Sequence, residues 1–475
     1  MAARLVILGG GPGGYVAAIR AAGLGAAVTL VERARLGGTC LNRGCIPSKI
    51  MKTAAEHLEA VRNAGSFGLV VEGEARLDPA ALQERKERIL ESQRRGIAGL
   101  LKKNKVRLVQ GEARIEEGRV LVVRSPEGEE TLSWDRLIIA TGSRPLQISA
   151  FPFDGRRILS SDDALSLKEI PRSLVIVGGG VIGCEFACIF SSFGTAVTVV
   201  EALARPLPLP SVDEDSSKIL LREMKKRKIR FIARRVVARV EEADGGLAVQ
   251  LGPSPFVPDA GKAPADSVLT AEKLLVCVGR VPNTKGLGLA ALGVETDGKG
   301  WIRVNDRMES SAAGVYAIGD VLGPERVMLA HVASHEGIVA AQNALGGSEV
   351  MDYGAVPGAI FTTPEVAGVG LTEKQASEDG WEVRSDTFLF RNIGKSQVIG
   401  EIAGQVKIVS ERGTGRVLGV HMIGPRVTDL ITEGVLAVQT ECSVSDIARS
   451  IHPHPTLSEV MQEAAYKALD RGIHG

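Results

Sequence analysis

Residues 4–32 read RLVILGGGPGGYVAAIRAAGLGAAVTLVE, and residues 173–201 read SLVIVGGGVIGCEFACIFSSFGTAVTVVE. Each opens on an apolar run of strand length, turns through glycines, continues as a helix, returns to a β-rich run and closes on an acid. The glycines are Gly9, Gly11 and Gly14 in the first stretch and Gly178, Gly180 and Gly183 in the second. The acid, Glu32 or Glu201, follows 18 residues after the last glycine in both. A turn bare of side chains lets a pyrophosphate reach the free N–H groups at the positive end of a helix, and the acid accepts from a ribose hydroxyl. A single GxGxxG is weak evidence, because many glycine turns bind nothing; here strand, helix and acid accompany it twice. Two dinucleotide sites in one chain point to a relay between two redox cofactors. Glu201 favours NAD, since a carboxylate there pairs with a free ribose hydroxyl and repels the extra phosphate of NADP. Arg205, four residues on, is a cation that could neutralise such a phosphate.

A chain of 475 residues exceeds what one hydrophobic core supports and predicts three or four packed units. With 57 Lys+Arg against 56 Asp+Glu the net charge is +1, so no global field draws it to nucleic acid or an anionic membrane, and neither is an expected partner. The 56 glycines cluster at strand ends, a pattern that favours nucleotide binding over a flexible linker. The first apolar run begins at Arg4, which leaves no room for a targeting signal, and runs such as 174–177 are strand-sized. A cytoplasmic location is expected. Six cysteines in so long a chain do not make a secreted scaffold; in a reducing compartment a close thiol pair is catalytic or metal-binding.

Between the two fingerprints, residues 78–103 predict an amphipathic helix. The segments 137–145 (LIIATGSRP) and 274–283 (LLVCVGRVPN) share one design, a buried strand running into a turn, and are expected to mark crossings between domains. Residues 314–320 (GVYAIGD) predict a third strand that ends by placing Asp320 at a cofactor crevice. From Asp352 onward no glycine fingerprint recurs, and strand-like runs such as 417–423 alternate with helical ones such as 429–439. That part is expected to form a separate unit.

Residues 37–49 read GGTCLNRGCIPSK. A helical turn containing a glycine would bring the sulfurs of Cys40 and Cys45 within disulfide range. A structural zinc would need two further ligands, and Cys184 and Cys188 lie inside the second nucleotide helix, where buried cysteine packs as a small apolar residue. No metal site is expected, and Cys277 and Cys442 have no visible reaction partner. Residues 451–459 read IHPHPTLSE. A thiol must lose its proton before attacking a disulfide, which calls for a base titrating near neutrality, and histidine suits. Glu459 could hold such an imidazole in one tautomer. The alternative is that His452 and His454 only belong to a proline-stiffened surface loop.

With these motifs assembled, the chain resembles the pyridine nucleotide-disulfide oxidoreductases over essentially its whole length, and among them the branch that oxidises dihydrolipoamide. The resemblance rests on residues 37–49, both fingerprints, AIGD at 317–320 and HPHPTLSE at 452–459. It implies an α/β fold with two Rossmann-like dinucleotide-binding domains and a C-terminal α+β dimerisation domain. The implied division is 1–150 for the first part of an FAD-binding domain, 151–278 for an NAD-binding domain, 279–350 for the return of the FAD-binding domain, and 351–475 for the interface domain.

By the same resemblance Cys40 exchanges with substrate, while Cys45 lies against the flavin and makes its charge-transfer contact; the two form the redox disulfide. Lys49 is implied near the flavin ring and Glu185 beside the nicotinamide. FAD contacts are implied for the first fingerprint with Glu32, Thr39, Ala113, Thr141, Gly142, Ser143, Asp320, Met328, Leu329, Ala330 and His331. NAD contacts are implied for the second fingerprint with Glu201, Val236 and Gly279. The C-terminal domain is implied to build a homodimer in which His454 and Glu459 serve the thiol pair of the other subunit; His454 is preferred to His452 because it precedes Pro-Thr. Departures are small: Pro453 stands where Ala is common, and His335 is unusual. The implied reaction is ping-pong oxidation of dihydrolipoamide with formation of NADH, on the lipoyl domain and core subunit of a 2-oxo acid dehydrogenase or glycine cleavage complex. A glutathione-reductase-like or mercuric-reductase-like enzyme shares the fold, but Glu201 opposes NADPH and no cysteine follows Cys442. An idle scaffold paralogue would lack Cys40, Cys45 or His454, and all three are present.

Overall fold

The computed structural model describes residues 2–257 and 267–474. Its first sheet runs in the order Val315–Ala317, Arg136–Ile139, Arg4–Leu8, Ala27–Glu32 and Arg107–Gln110, every pair parallel. The second sheet repeats the plan with Arg230–Ala233, Ala196–Glu201, Ser173–Val177, Lys273–Val276 and Ile158–Leu159, again all parallel. The central strands RLVIL and SLVIV are buried on both faces; in the second unit Leu174 and Ile176 pack on helix residues such as Ala187, while Val175 and Val177 pack on the antiparallel sheet residues Val249 and Leu251. Antiparallel three-stranded sheets flank the two units: Glu112–Glu116, Val120–Ser125 and Gly128–Ser133 beside the first, and Arg235–Ala243, Gly246–Pro253 and Val268–Ala271 beside the second.

The second unit is inserted into the first. The chain leaves through Ser143–Pro145 and returns through Arg280–Pro282, and these two segments pair antiparallel, so the expected domain crossings are hydrogen-bonded to each other. The last sheet is antiparallel, in the order Gly358–Ile360, Glu365–Gly370, Val417–Gly424, Gln405–Glu411 and Val383–Leu389, with helices Val427–Gln439 and Glu459–Ala468 packed on it. The architecture is therefore the expected one, two Rossmann-like α/β units followed by an α+β unit. The amphipathic helix spans Pro79–Lys103, with the Asp78 side chain accepting from the Ala81 N–H at 3.0 Å as its cap. No helix among the described residues is long and apolar enough to cross a membrane.

In each fingerprint the first and last glycines are dictated by the chain itself. A Cβ on Gly9 (φ +103°) would lie 2.3 Å from the Ala140 carbonyl oxygen, and one on Gly14 would lie 1.8 Å from that of Gly9. The second copy matches: Gly178 (φ +103°) against the Cys277 oxygen at 2.5 Å, Gly183 against that of Gly178 at 1.9 Å. Backbone cannot recede as a flexible side chain can, so these contacts set how closely helix, turn and neighbouring strand approach. Gly183→Ala should destabilise by more than about 3 kcal/mol, above the ordinary range of single substitutions. Gly180→Ala, whose Cβ meets no protein atom within 4 Å, should melt with the parent protein. Thermal unfolding of the two variants checks this, and equal melting temperatures would refute the steric account.

Candidate active site

Because the first sheet is parallel, the turns after Leu8, Glu32, Ile139 and Ala317 all leave from one edge and form a single crevice. The middle glycines of the fingerprints open onto such crevices. A Cβ on Gly180 meets nothing, and one on Gly11 meets only the Gly38 Cα at 3.8 Å. The space a side chain there would take lies before the first turns of helices Pro12–Gly23 and Val181–Ser192, which carry no side-chain caps. In the first crevice the buried Thr141 hydroxyl has no hydrogen-bond partner. Open space before uncapped helix amides, with an orphaned hydroxyl beside it, fits a dinucleotide.

The two acids occupy equivalent positions. Glu32 accepts from the N–H groups of Gly10 and Ala34, both at 2.7 Å, and Glu201 from those of Gly179 at 2.5 Å and Leu203 at 2.7 Å. Each oxygen accepts one bond and keeps a lone pair. Arg205 turns away from the acid. It bonds the Ser217 hydroxyl and donates to the carbonyls of Leu209 and Val212 at 3.1 Å each. The cation close enough in sequence to serve a phosphate is thus already engaged.

Other expected contact residues fall around the same two edges. The Ser143 hydroxyl donates to Asp320 at 2.6 Å and accepts from Arg280 Nε at 2.6 Å. Gly142 (φ +68°) accepts from the Asn283 N–H at 3.0 Å. Met328 and Leu329 lead into helix Ala330–Ala344, which crosses helix Pro12–Gly23 so closely that a Cβ on Gly13 would lie 2.8 Å from the Ala333 oxygen. His331 Nε2 lies 3.1 Å from the Pro357 oxygen. Ala113 lines a cavity of about 460 Å³ with Glu112, Arg114, Val122, Arg124, Gly286 and Gly288; its strand starts beside the acid, where the Gly111 N–H donates to the Glu32 carbonyl at 3.0 Å. In the second unit, Val236 lies two residues past Arg234, whose N–H donates to Leu203, two residues past Glu201, at 3.0 Å, and Gly279 (φ +129°) accepts from Leu146 at 3.0 Å.

The thiols do not share one helical turn. Residues 37–49 form two helices, Gly38–Arg43 with Thr39 and Cys40, and Cys45–Arg62, broken at Gly44 (φ −147°, ψ −113°). Glycine suits the break because a Cβ there would press on the Thr39 oxygen at 3.0 Å. Cys40 and Cys45 are free thiols that share a hydrogen bond, with Cys45 the more exposed. The bond from Cys40, aided by the Lys49 ammonium and opposed by burial, lowers Cys45 to about 7. Cys40 holds the shared proton and is buried, and both effects push it up. Lys49 Nζ lies 2.9 and 3.0 Å from the two carboxylate oxygens of Glu185 and 4.2 Å from the centre of the Phe361 ring. The Phe361 N–H donates to Glu185 at 2.9 Å. Cys184 and Cys188 are fully buried, as expected of packing residues.

In the C-terminal unit, His454 Nδ1 lies 2.8 Å from Glu459, which also accepts from the Thr456 N–H at 2.8 Å. Burial opposes ionisation of Glu459, but these two bonds hold it below the usual carboxylate range. With Nδ1–H directed at the carboxylate, Nε2 of this exposed ring carries the lone pair of a base. His452 pairs instead with Glu433. Arg280, Phe361 and Glu433 were absent from the expected residues. The repeated Gly-x-x-Pro design of the two crossings was the signal available for Arg280; the other two carry none.

Residues 3–337 match the family model described as pyridine nucleotide-disulphide oxidoreductase, and residues 356–465 match that family's dimerisation domain. The chain is 42% identical to a dihydrolipoyl dehydrogenase of Bacillus subtilis, covering 99% of this chain and 98% of the relative. It is 41% identical to one from Thermus scotoductus, with the same coverage. The crystal structure of LpdA from Mycobacterium tuberculosis superposes with a TM-score of 0.89 at 28% identity, covering 98% of this chain and 99% of that one. In the dithiol form, one thiolate should appear with a midpoint of about 7, followed through thiolate absorbance. Cys40→Ala should move that midpoint up into the ordinary thiol range, and an unmoved midpoint would contradict the stabilising bond.

Proposed function

The chain belongs to the pyridine nucleotide-disulphide oxidoreductases, and we infer that within this family it works as a dihydrolipoyl dehydrogenase, oxidising dihydrolipoamide to lipoamide and reducing NAD. The observation that carries this reading is the Lys49–Glu185 bridge, which ties the helix beginning at Cys45 to the helix opening the second fingerprint. Thiol chemistry and nicotinamide chemistry are held together across that contact. The substrate follows relatives of that name matched end to end.

FAD, when bound, takes the electron pair of the thiols and passes it as hydride to NAD. The first fingerprint with Glu32, Thr39, Ala113, Thr141, Gly142, Ser143, Asp320 and residues 328–331 would hold the FAD, and the second with Glu201, Val236 and Gly279 would hold the NAD. Arg205 is engaged by the Ser217 hydroxyl and the carbonyls of Leu209 and Val212 rather than turned to a 2′-phosphate beside Glu201, which supports NAD over NADP. In the oxidised enzyme Cys40 and Cys45 share a disulfide. His454 Nε2 takes the proton of a substrate thiol, and the thiolate attacks Cys40 Sγ. The S–S bond breaks and Cys45 leaves as a thiolate, which Lys49 stabilises. The second substrate thiol then attacks its partner sulfur and releases Cys40, so one dithiol is oxidised for each enzyme disulfide reduced. Glu459 balances the charge on the protonated His454.

In the homodimer the His454–Glu459 pair of one protomer would serve the thiols of the other. The dihydrolipoamide would arrive on the lipoyl domain of a 2-oxo acid dehydrogenase or glycine cleavage complex, in the cytoplasm. Anaerobic titration with dihydrolipoamide tests the reading: the native enzyme should develop long-wavelength flavin absorption and form NADH, and Cys45→Ser should do neither. His454→Gln should lose roughly 10²–10⁴-fold in lipoamide turnover while still passing electrons from NADH to ferricyanide. Silence with dihydrolipoamide and reduction by NADPH would replace this reading with a glutathione-reductase-like one.

A further inference from the structure

The segment carrying His454 is held on its C-terminal side, where the Thr456 hydroxyl donates to the Pro453 oxygen at 2.7 Å and the Thr456 N–H to Glu459 at 2.8 Å, and more weakly on its N-terminal side. Pro453 and Pro455 offer no N–H, Ile451 is 95% exposed, and among the described residues the His454 ring hydrogen-bonds to Glu459 alone. Yet one side chain in the segment is buried: that of His452 is 7% exposed. Its Nδ1 lies 3.0 Å from the Ser450 carbonyl oxygen and its Nε2 3.0 Å from Glu433 Oε1, on helix Val427–Gln439. The Ser450 oxygen also accepts from Gln462 Nε2 at 2.8 Å, which fixes it against helix Glu459–Ala468.

Both ring nitrogens of His452 therefore face acceptors. A neutral imidazole has one N–H and would point a lone pair at one of them; the imidazolium donates to both. We propose that His452 is a positioning residue for the acid–base step, an imidazolium that bridges Ser450 and Glu433 and thereby pins the segment presenting His454. The proposal rests on the base assigned to His454 above. The charged groups acting on His452 are the carboxylates of Glu433 and, from helix Glu459–Ala468, Glu459. The Glu433 bond, opposed by burial and helped by Glu459, raises its pKa above the ordinary imidazole range. A raised pKa in the folded protein means the lock is complete at acid and neutral pH and is lost as pH rises through that value. Glu459 lies between two imidazoles, so His452 also helps keep it ionised.

The test uses full-length, FAD-loaded dimers of His452→Gln, Glu433→Gln and His454→Gln, assayed across pH for dihydrolipoamide oxidation and for NADH–ferricyanide turnover. His452→Gln should lower kcat for dihydrolipoamide roughly 10- to 100-fold, the cost of a misplaced catalytic group, with KM and ferricyanide turnover near the native values. Glu433→Gln keeps an acceptor oxygen but not the charge; it should match the native enzyme at acid pH and begin to fall behind at a lower pH than the native enzyme does. Native turnover by His452→Gln at every pH overturns the proposal, as does a Glu433→Gln deficit of constant size, which would mark packing alone. If His454→Gln is inactive while His452→Gln is normal, only this inference fails; if His454→Gln oxidises dihydrolipoamide normally, the base assignment and this inference fail together.

Discussion

Everything at the nucleotide crevices depends on one steric constraint, a glycine Cα set against a backbone carbonyl. Gly9 against Ala140 and Gly178 against Cys277 fix the height of each first helical turn above its sheet edge. The thiol segment is seated on the first of these turns, because a Cβ on Gly38 would come within 2.6 Å of the Gly11 Cα. Backbone therefore lies on backbone from the sheet edge to the helix carrying Cys40, with no side chain between to act as a soft spacer. Reactive groups that must meet within bonding distance gain from such a stack.

Electrostatics then divides labour between two chemically identical thiols. The pair shares one proton: the hydrogen bond from Cys40, with Lys49 adding to it, favours the thiolate at Cys45, and that bond together with burial keeps the proton on Cys40. Lys49 is itself neutralised by both oxygens of Glu185. The ammonium is thereby divided between a redox thiolate and a residue on the second nucleotide helix, and a hydrophobic core containing Met51, Phe186 and Ile423 seals the three units around it. The His454–Glu459 pair uses a different principle: His454 is exposed, and its ring is oriented by a carboxylate 2.8 Å from Nδ1.

Much of this is legible in the sequence, and the reason is locality. The fingerprints, the Cys40/Cys45 segment and the His454–Glu459 spacing are each complete within thirty residues or fewer, so the chemistry and the chain positions that deliver it are adjacent in the sequence. The break at Gly44 is not legible, because one glycine is compatible with a turn inside a helix and with a gap between two, and a contact with Thr39 decides. Phe361 reaches Glu185 across 176 residues and Arg280 reaches Ser143 across 137; no periodicity encodes such meetings. Glu433 reads as one polar residue of an amphipathic helix, and only folding brings it beneath His452. Arg205 shows the opposite case, an apparent candidate near the ribose acid that folding commits to its own loop.

The paired crossings at Ser143–Pro145 and Arg280–Pro282 have a bearing on how such a chain can be assembled from parts. Ser143 stands opposite Pro282 and Pro145 opposite Arg280, so residues 146–279 depart and return at neighbouring points, about 5 Å apart by strand spacing. The inserted unit is a cassette on a two-stranded stem: a host gene could acquire, exchange or lose it without the host sheet changing its strand order. What the stem does not supply is alignment. That comes from contacts far from it, the Lys49–Glu185 pair and the buried Lys407–Asp213 pair at 3.0 Å. A foreign module with the right ends would graft onto the stem, but without a carboxylate where Glu185 stands it would lack the contact that ties it to the helix beginning at Cys45.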